Sequence, residues 1–87
     1  MTDQQVECII ALVEEGSFSK AAEKLFISQP AISQNIKRME QQYGVKIFDR
    51  STKSMRLTEA GTAIYQAAKK MQGTEREVSM ILTDIKQ

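Results

Sequence analysis

The last third of the chain sets the hardest constraint on its fold. Thr58 can cap a helix that runs without a break to about residue 86, roughly 43 Å at 1.5 Å per residue. Along it Ile64, Met71, Val78 and Ile85 recur every seven residues, and Ala60, Ala67, Thr74 and Ile81 take the partner positions, so the pattern is a heptad seam. Ala68 and Leu82 widen the stripe. One side can dock on the rest of the chain near the start of the helix, while the far part meets a second copy. The alternative is a helix folded back along its own domain. With only 87 residues in the chain, that leaves too little partner surface for so long a stripe. Gly61 and Gly73 are expected to weaken the helix locally, and Gly73-Thr74 is a place where it can bend.

The preceding residues are punctuated at short intervals. Val6, Ile9, Ile10, Leu12 and Val13 have helical spacing behind a capping Asp3, which predicts a first helix over about 3 to 15, stopped at Gly16. Ser17 caps a short second helix near 18 to 25 carrying Phe18, Ala21, Ala22 and Leu25. Phe26 and Ile27 connect it to a third helix over about 29 to 42, capped by Ser28, with Pro30 in the first turn where a missing N–H costs nothing. Ile32, Ile36 and Met39 form its buried stripe and leave Gln29, Ser33, Gln34 and Lys37 on other faces. After Gly44 the pattern becomes extended. Ile47–Arg50 and Met55–Leu57 flank a polar tip and predict a short hairpin held against the helices by Phe48 and Leu57. The fold class is therefore mainly α: three helices and a two-stranded wing, a winged helix-turn-helix, with a long C-terminal dimerisation helix. Residues 1–57 form the binding domain and 58–87 the linker helix.

Net charge is only +1, but it is unevenly spread. Residues 28–57 carry six bases (Lys37, Arg38, Lys46, Arg50, Lys53, Arg56) against Glu40 and Asp49. In a helix-turn-helix the second of the paired helices enters the major groove, so this charge falls where double-stranded DNA would lie. Gln29, Ser33 and Gln34 have side chains able to donate to and accept from base edges, and without an arginine at the helix start the contacts lean towards A·T pairs and DNA shape. Lys37 and Arg38 suit flanking phosphates, as do Ser17, Ser19 and Lys20 at the start of the second helix. Lys53 at the hairpin tip can reach a minor groove or a phosphate, with Arg50 and Arg56 at its base. Arg50 has a structural alternative, pairing with Glu40 or Asp49. Two-fold association through the last helix would set two reading helices about one DNA turn apart, or a multiple of it, and favour an inverted-repeat operator.

Other classes find little support. The chain has no histidine and one cysteine, Cys8, so the usual zinc spacings and an internal disulfide are absent, and no cofactor or metal is expected. No phosphate-binding glycine loop or nucleophile with a base points to an enzyme. No apolar run approaches the roughly 20 residues needed to span a bilayer, and the start lacks signal-peptide character, so a cytoplasmic location without membrane contact is expected. Two non-enzymatic rivals are a winged helix used only for protein assembly, which would carry an acidic or apolar third helix, and a sequence-independent architectural DNA binder.

Four spaced motifs carry a resemblance: Gly16-Ser17-Phe18-Ser19-Lys20-Ala21-Ala22-Glu23-Lys24-Leu25, Ser28-Gln29-Pro30-Ala31-Ile32-Ser33, Ile47-Phe48-Asp49-Arg50 and Leu57-Thr58-Glu59-Ala60-Gly61. In this order they are similar to the N-terminal signature of LysR-type transcriptional regulators, closely over about residues 3 to 72. The resemblance implies a bacterial transcription factor that continues past a hinge into a periplasmic-binding-protein-like domain sensing a small molecule. It implies that Gln29, Pro30, Ser33 and Gln34 face the major groove with Ser28 at the helix start, and that Lys53 is the wing residue. It further implies that the linker helices pair as an antiparallel dimer, for which the heptad seam supplies Ile64, Ala67, Met71, Val78, Ile81, Leu82 and Ile85 as contacts, with a tetramer open to the full-length protein. Two positions depart from the commoner pattern. Gln34 stands where many members have arginine, and Lys53 keeps the charge of a frequent arginine without its planar fork.

Overall fold

The computed structural model describes residues 1–49, 51 and 55–87. Helix α1 (Asp3–Glu15) begins one residue earlier in its capping than the sequence suggests. Thr2 is the N-cap: its hydroxyl accepts from the Gln5 N–H at 3.1 Å, while the Gln5 side chain accepts from the Thr2 N–H at 2.9 Å. Asp3 instead lies in the first turn, where its charge faces the positive end of the helix dipole. Gly16 closes the helix in the left-handed conformation at φ 67°, its N–H donating to the Leu12 carbonyl at 2.9 Å.

Helices α2 (Phe18–Leu25) and α3 (Gln29–Tyr43) follow, capped by Ser17 and Ser28 as their sequences require. Between them Phe26 does what glycine does elsewhere. Its φ is 56°, and among the described residues it alone combines a side chain with a positive φ. The Phe26 N–H donates to the Glu23 carbonyl at 3.3 Å and the Ile27 N–H to the Ala22 carbonyl at 3.1 Å, so α2 ends in a Schellman-type pair. Holding an L-residue there costs about 1–2 kcal/mol.

All three other helices pack on α1. Its Val6, Cys8, Ile9, Ile10, Ala11 and Leu12 are buried, and Ile32, Ile36 and Met39 of α3 complete the core with Ala21 and Ala22 of α2. A helix whose middle is buried on every side is a central helix, and each buried valine, leucine, isoleucine or methionine contributes about 1.5–3 kcal/mol of burial.

Among the described residues of the hairpin, Ile47 and Met55 fall outside the strands that the sequence pattern suggests. Strands β1 (Phe48–Asp49) and β2 (Arg56–Leu57) are antiparallel, with Phe48 opposite Leu57 and Asp49 opposite Arg56. Ile47 stands opposite Thr58 in the same register and keeps one bond across, its carbonyl accepting from the Thr58 N–H at 3.0 Å, but its N–H donates to the Glu40 carboxylate at 2.9 Å and the ladder ends there.

Helix α4 (Glu59–Lys86) is capped by Thr58, whose hydroxyl oxygen accepts from the Gly61 N–H at 2.9 Å and whose O–H donates to the Lys46 carbonyl. The helix runs through both glycines without a break. Gly61 is there for space: a Cβ would stand 2.0 Å from the Ile47 carbonyl oxygen. At this contact α4 lies against the chain entering β1, and Ala68 further along is fully buried. Beyond Gly73 every residue of the helix is exposed, and the molecule is drawn out to 51 × 25 × 19 Å. Among the described residues, no helix is long and apolar enough to cross a membrane.

Candidate nucleic-acid interface

Helix α3 is held at two points by polar side chains that its apolar stripe does not reveal. At its middle Asn35, which is buried, donates from Nδ2 to the Ala31 carbonyl at 2.9 Å and to Gln4 Oε1 of α1 at 3.2 Å. Near its end the buried Glu40 takes the Ile47 N–H and so joins α3 to the hairpin. Buried polar groups satisfied in this way fix register and orientation better than apolar packing alone. The other side of α3 is open: Gln29, Pro30, Ser33, Gln34, Lys37 and Arg38 are all exposed. Their amides, hydroxyl and cations can meet base edges and phosphates on a helix that cannot roll.

The caps add to this face. The Ser28 hydroxyl oxygen accepts from the Ala31 N–H at 3.2 Å, which leaves its own proton free to donate outward. At the start of α2 the Ser17 oxygen accepts from the Lys20 N–H at 3.3 Å and lies 3.1 Å from the Ser19 hydroxyl, with Ser19 and Lys20 exposed. Two helix N-termini thus present hydroxyls, and α2 adds a cation, the donor chemistry that suits phosphate oxygens.

On the hairpin, Asp49 Oδ1 accepts from the Ser51 N–H at 2.9 Å and from its hydroxyl at 2.6 Å. These bonds, with Arg56 nearby, hold the Asp49 carboxyl below the usual carboxylate range. Arg56 itself is exposed on β2. Arg50 and Lys53 lie outside the described residues.

Away from this face, the seam of α4 divides. Ile64 is half-buried against the domain core, whereas Ala67, Met71, Val78, Ile81, Leu82 and Ile85 are exposed, Ile85 by 73%. At 100° per residue the exposed stripe is centred about 100° round the helix from Gly61 and Ala68, which face the domain, and spans about 50–150°. A groove of about 760 Å³ runs between this stripe and α1, lined by Val6, Ala67, Met71 and Val78 with Asp3 and Glu7 at its rim. Cys8 is buried within α1, and that burial, with Glu7 beside it, pushes its thiol up to about 11, so it is no nucleophile.

Sequence reasoning missed Asn35, the link from Glu40 to Ile47, and the geometry of Phe26. The first two are polar residues among apolar ones, and only the fold shows what they reach. Phe26 stands at a position where glycine would have signalled the turn.

Residues 4–62 match the model of the bacterial regulatory helix-turn-helix protein, lysR family. The chain is 42% identical over 84 residues to a probable RuBisCO transcriptional regulator of Cyanidioschyzon merolae, covering 97% of this chain and 28% of that protein. Among solved structures, the DNA-binding domain of BenM in complex with benA site 1 DNA superposes with a TM-score of 0.90 at 32% identity, covering 98% of this chain and 96% of that one. Full-length LysG from Corynebacterium glutamicum, with its bound effector Arg, superposes with a TM-score of 0.88 at 33% identity, covering 97% of this chain and 29% of LysG.

Proposed function

Since the chain belongs to the lysR family and forms its helix-turn-helix DNA-binding domain, we propose that it reads an inverted-repeat operator as a homodimer, within a longer regulator that senses a small molecule. The observation that carries the reading is α3: a helix fixed by Asn35 and Glu40 on one side and lined by exposed Gln29, Ser33 and Gln34 on the other. The glutamines and Ser33 meet base edges, with Pro30 against the groove and Ser28 at the entry. Lys37, Arg38, Ser17, Ser19 and Lys20 hold the flanking phosphates, and Arg50 and Lys53 do the same from the wing. Residues 1–57 make the DNA-binding unit and 58–87 the linker helix. The cytoplasm is where such a duplex is met.

Dimerisation is supported by the stripe Met71, Val78, Ile81, Leu82 and Ile85, which the chain does not cover itself. Its heptad spacing suits a second copy of the same helix, with Ala67 and Ile64 at the near end. The chain spans 28% of the relative's length, and the sensing domain would occupy the remainder.

The test is a fluorescence-anisotropy titration of the chain against a duplex selected from a random pool and against its scrambled version, at several salt concentrations. Two chains per inverted repeat with a clear preference is the expected result; equal affinity for both duplexes refutes sequence-selective reading. Gln29→Ala or Gln34→Ala should cost about 1–3 kcal/mol on the selected site and little on the scrambled one. Lys53→Ala should weaken both and lower the salt slope by about one.

A further inference from the structure

Phe26 is 94% exposed, the most exposed of the large apolar residues, and it stands in a left-handed conformation that disfavours a side chain. Two unfavourable features thus meet at one residue. Among the described residues nothing covers the ring, and the turn would close as well with glycine or asparagine. Its neighbour Ile27 turns inward against the core, so the corner itself is firmly placed. Two residues further on, Ser28 caps the reading helix, and its Cα can be no more than about 7.6 Å from that of Phe26. Phe26 thus sits at the Ser28 end of α3, beside the exposed Gln29 and Pro30, and the chemistry its ring offers there is apolar.

Resting on the DNA-binding reading above, we infer that Phe26 makes an apolar contact with the duplex at the margin of the major groove, against a thymine 5-methyl group or a deoxyribose. An apolar side chain is the group that distinguishes thymine by its methyl. Burying one methyl-sized group corresponds to about a fourfold change in affinity. The left-handed turn aims the ring outward while Ile27 anchors the backbone behind it.

The experiment compares the wild-type chain with Phe26→Asn and Phe26→Gly, both suited to the left-handed turn, by thermal unfolding and by anisotropy on the selected duplex. Gln29→Ala serves as the interface control. Both Phe26 variants should melt at or above the wild-type temperature and bind about fourfold or more weakly. Replacing thymines by uracil one at a time separates the two sources. A loss at one position in wild type that vanishes in Phe26→Asn identifies the methyl, whereas a variant loss with no uracil effect identifies the sugar. If Gln29→Ala weakens binding and both Phe26 variants bind like wild type, the ring makes no contact with the duplex and the inference is overturned. If wild type selects no duplex, or Gln29→Ala changes nothing, the reading beneath it fails first.

Discussion

Helix α1 and the far half of α4 carry similar apolar periodicity and have opposite fates. Seven of the thirteen residues of α1 are buried, whereas only Gly61 and Ala68 are buried in the twenty-eight of α4. The difference is one of neighbours. α1 is flanked by three helices, and α4 leaves the domain after its first turns with Val78, Ile81, Leu82 and Ile85 uncovered. A hydrophobic stripe records that a partner is needed, and the rest of the fold decides whether that partner lies in the same chain.

Substitutions in the two helices test this contrast. The largest effect is expected in α1: Leu12→Ala removes a fully buried side chain and should cost about 2–5 kcal/mol, a fall of at least about 8 °C in Tm by circular dichroism at matched protein concentration. Next comes the point where α4 joins the domain. Gly61→Ala drives a methyl into the Ile47 carbonyl and should cost about 1–3 kcal/mol in the same assay, although alanine is the better helix former.

A smaller effect follows from Cys8, whose folded pKa is raised from 9.0 to about 11. Since burial disfavours the thiolate, its contribution is complete below pH 9 and is lost as pH rises towards 11, about 1 kcal/mol by pH 10. Urea unfolding at pH 8 and pH 10 should show this extra loss in wild type and not in Cys8→Ala. The smallest effect on the monomer's fold is expected at the far end of α4, where Ile81→Glu should change stability by no more than about 0.5 kcal/mol. Sedimentation should nevertheless find that variant monomeric; a surviving dimer would place the interface elsewhere.

Much of this was legible before any coordinates. Ser17, Ser28 and Thr58 cap where their sequences place them, and the bounds of α1, α2 and α4 agree with the helical spacing, because capping and amphipathicity are local properties. Contacts between distant residues were not legible. Gly61 reads as a weak point in a helix until the Ile47 carbonyl is found against it, and Ile47 reads as strand until its N–H is found on Glu40. Ile64 belongs to the heptad by spacing and packs partly on the domain core in space. At the interface, the exposure of Gln29, Ser33 and Gln34 followed from the positions of Ile32, Ile36 and Met39, but the clamp by Asn35 did not.

The approach of Gly61 to Ile47 also makes α4 a lever. The helix is about 42 Å long, so each degree of tilt at its root moves its far end by about 0.7 Å. A soft apolar joint would let that end wander by several ångströms. A backbone carbonyl pressed against a residue with no side chain, next to the Thr58 cap, gives a stiff fulcrum shared with the hairpin, so displacing the tip of the lever must either flex the helix along its length or carry the wing with it.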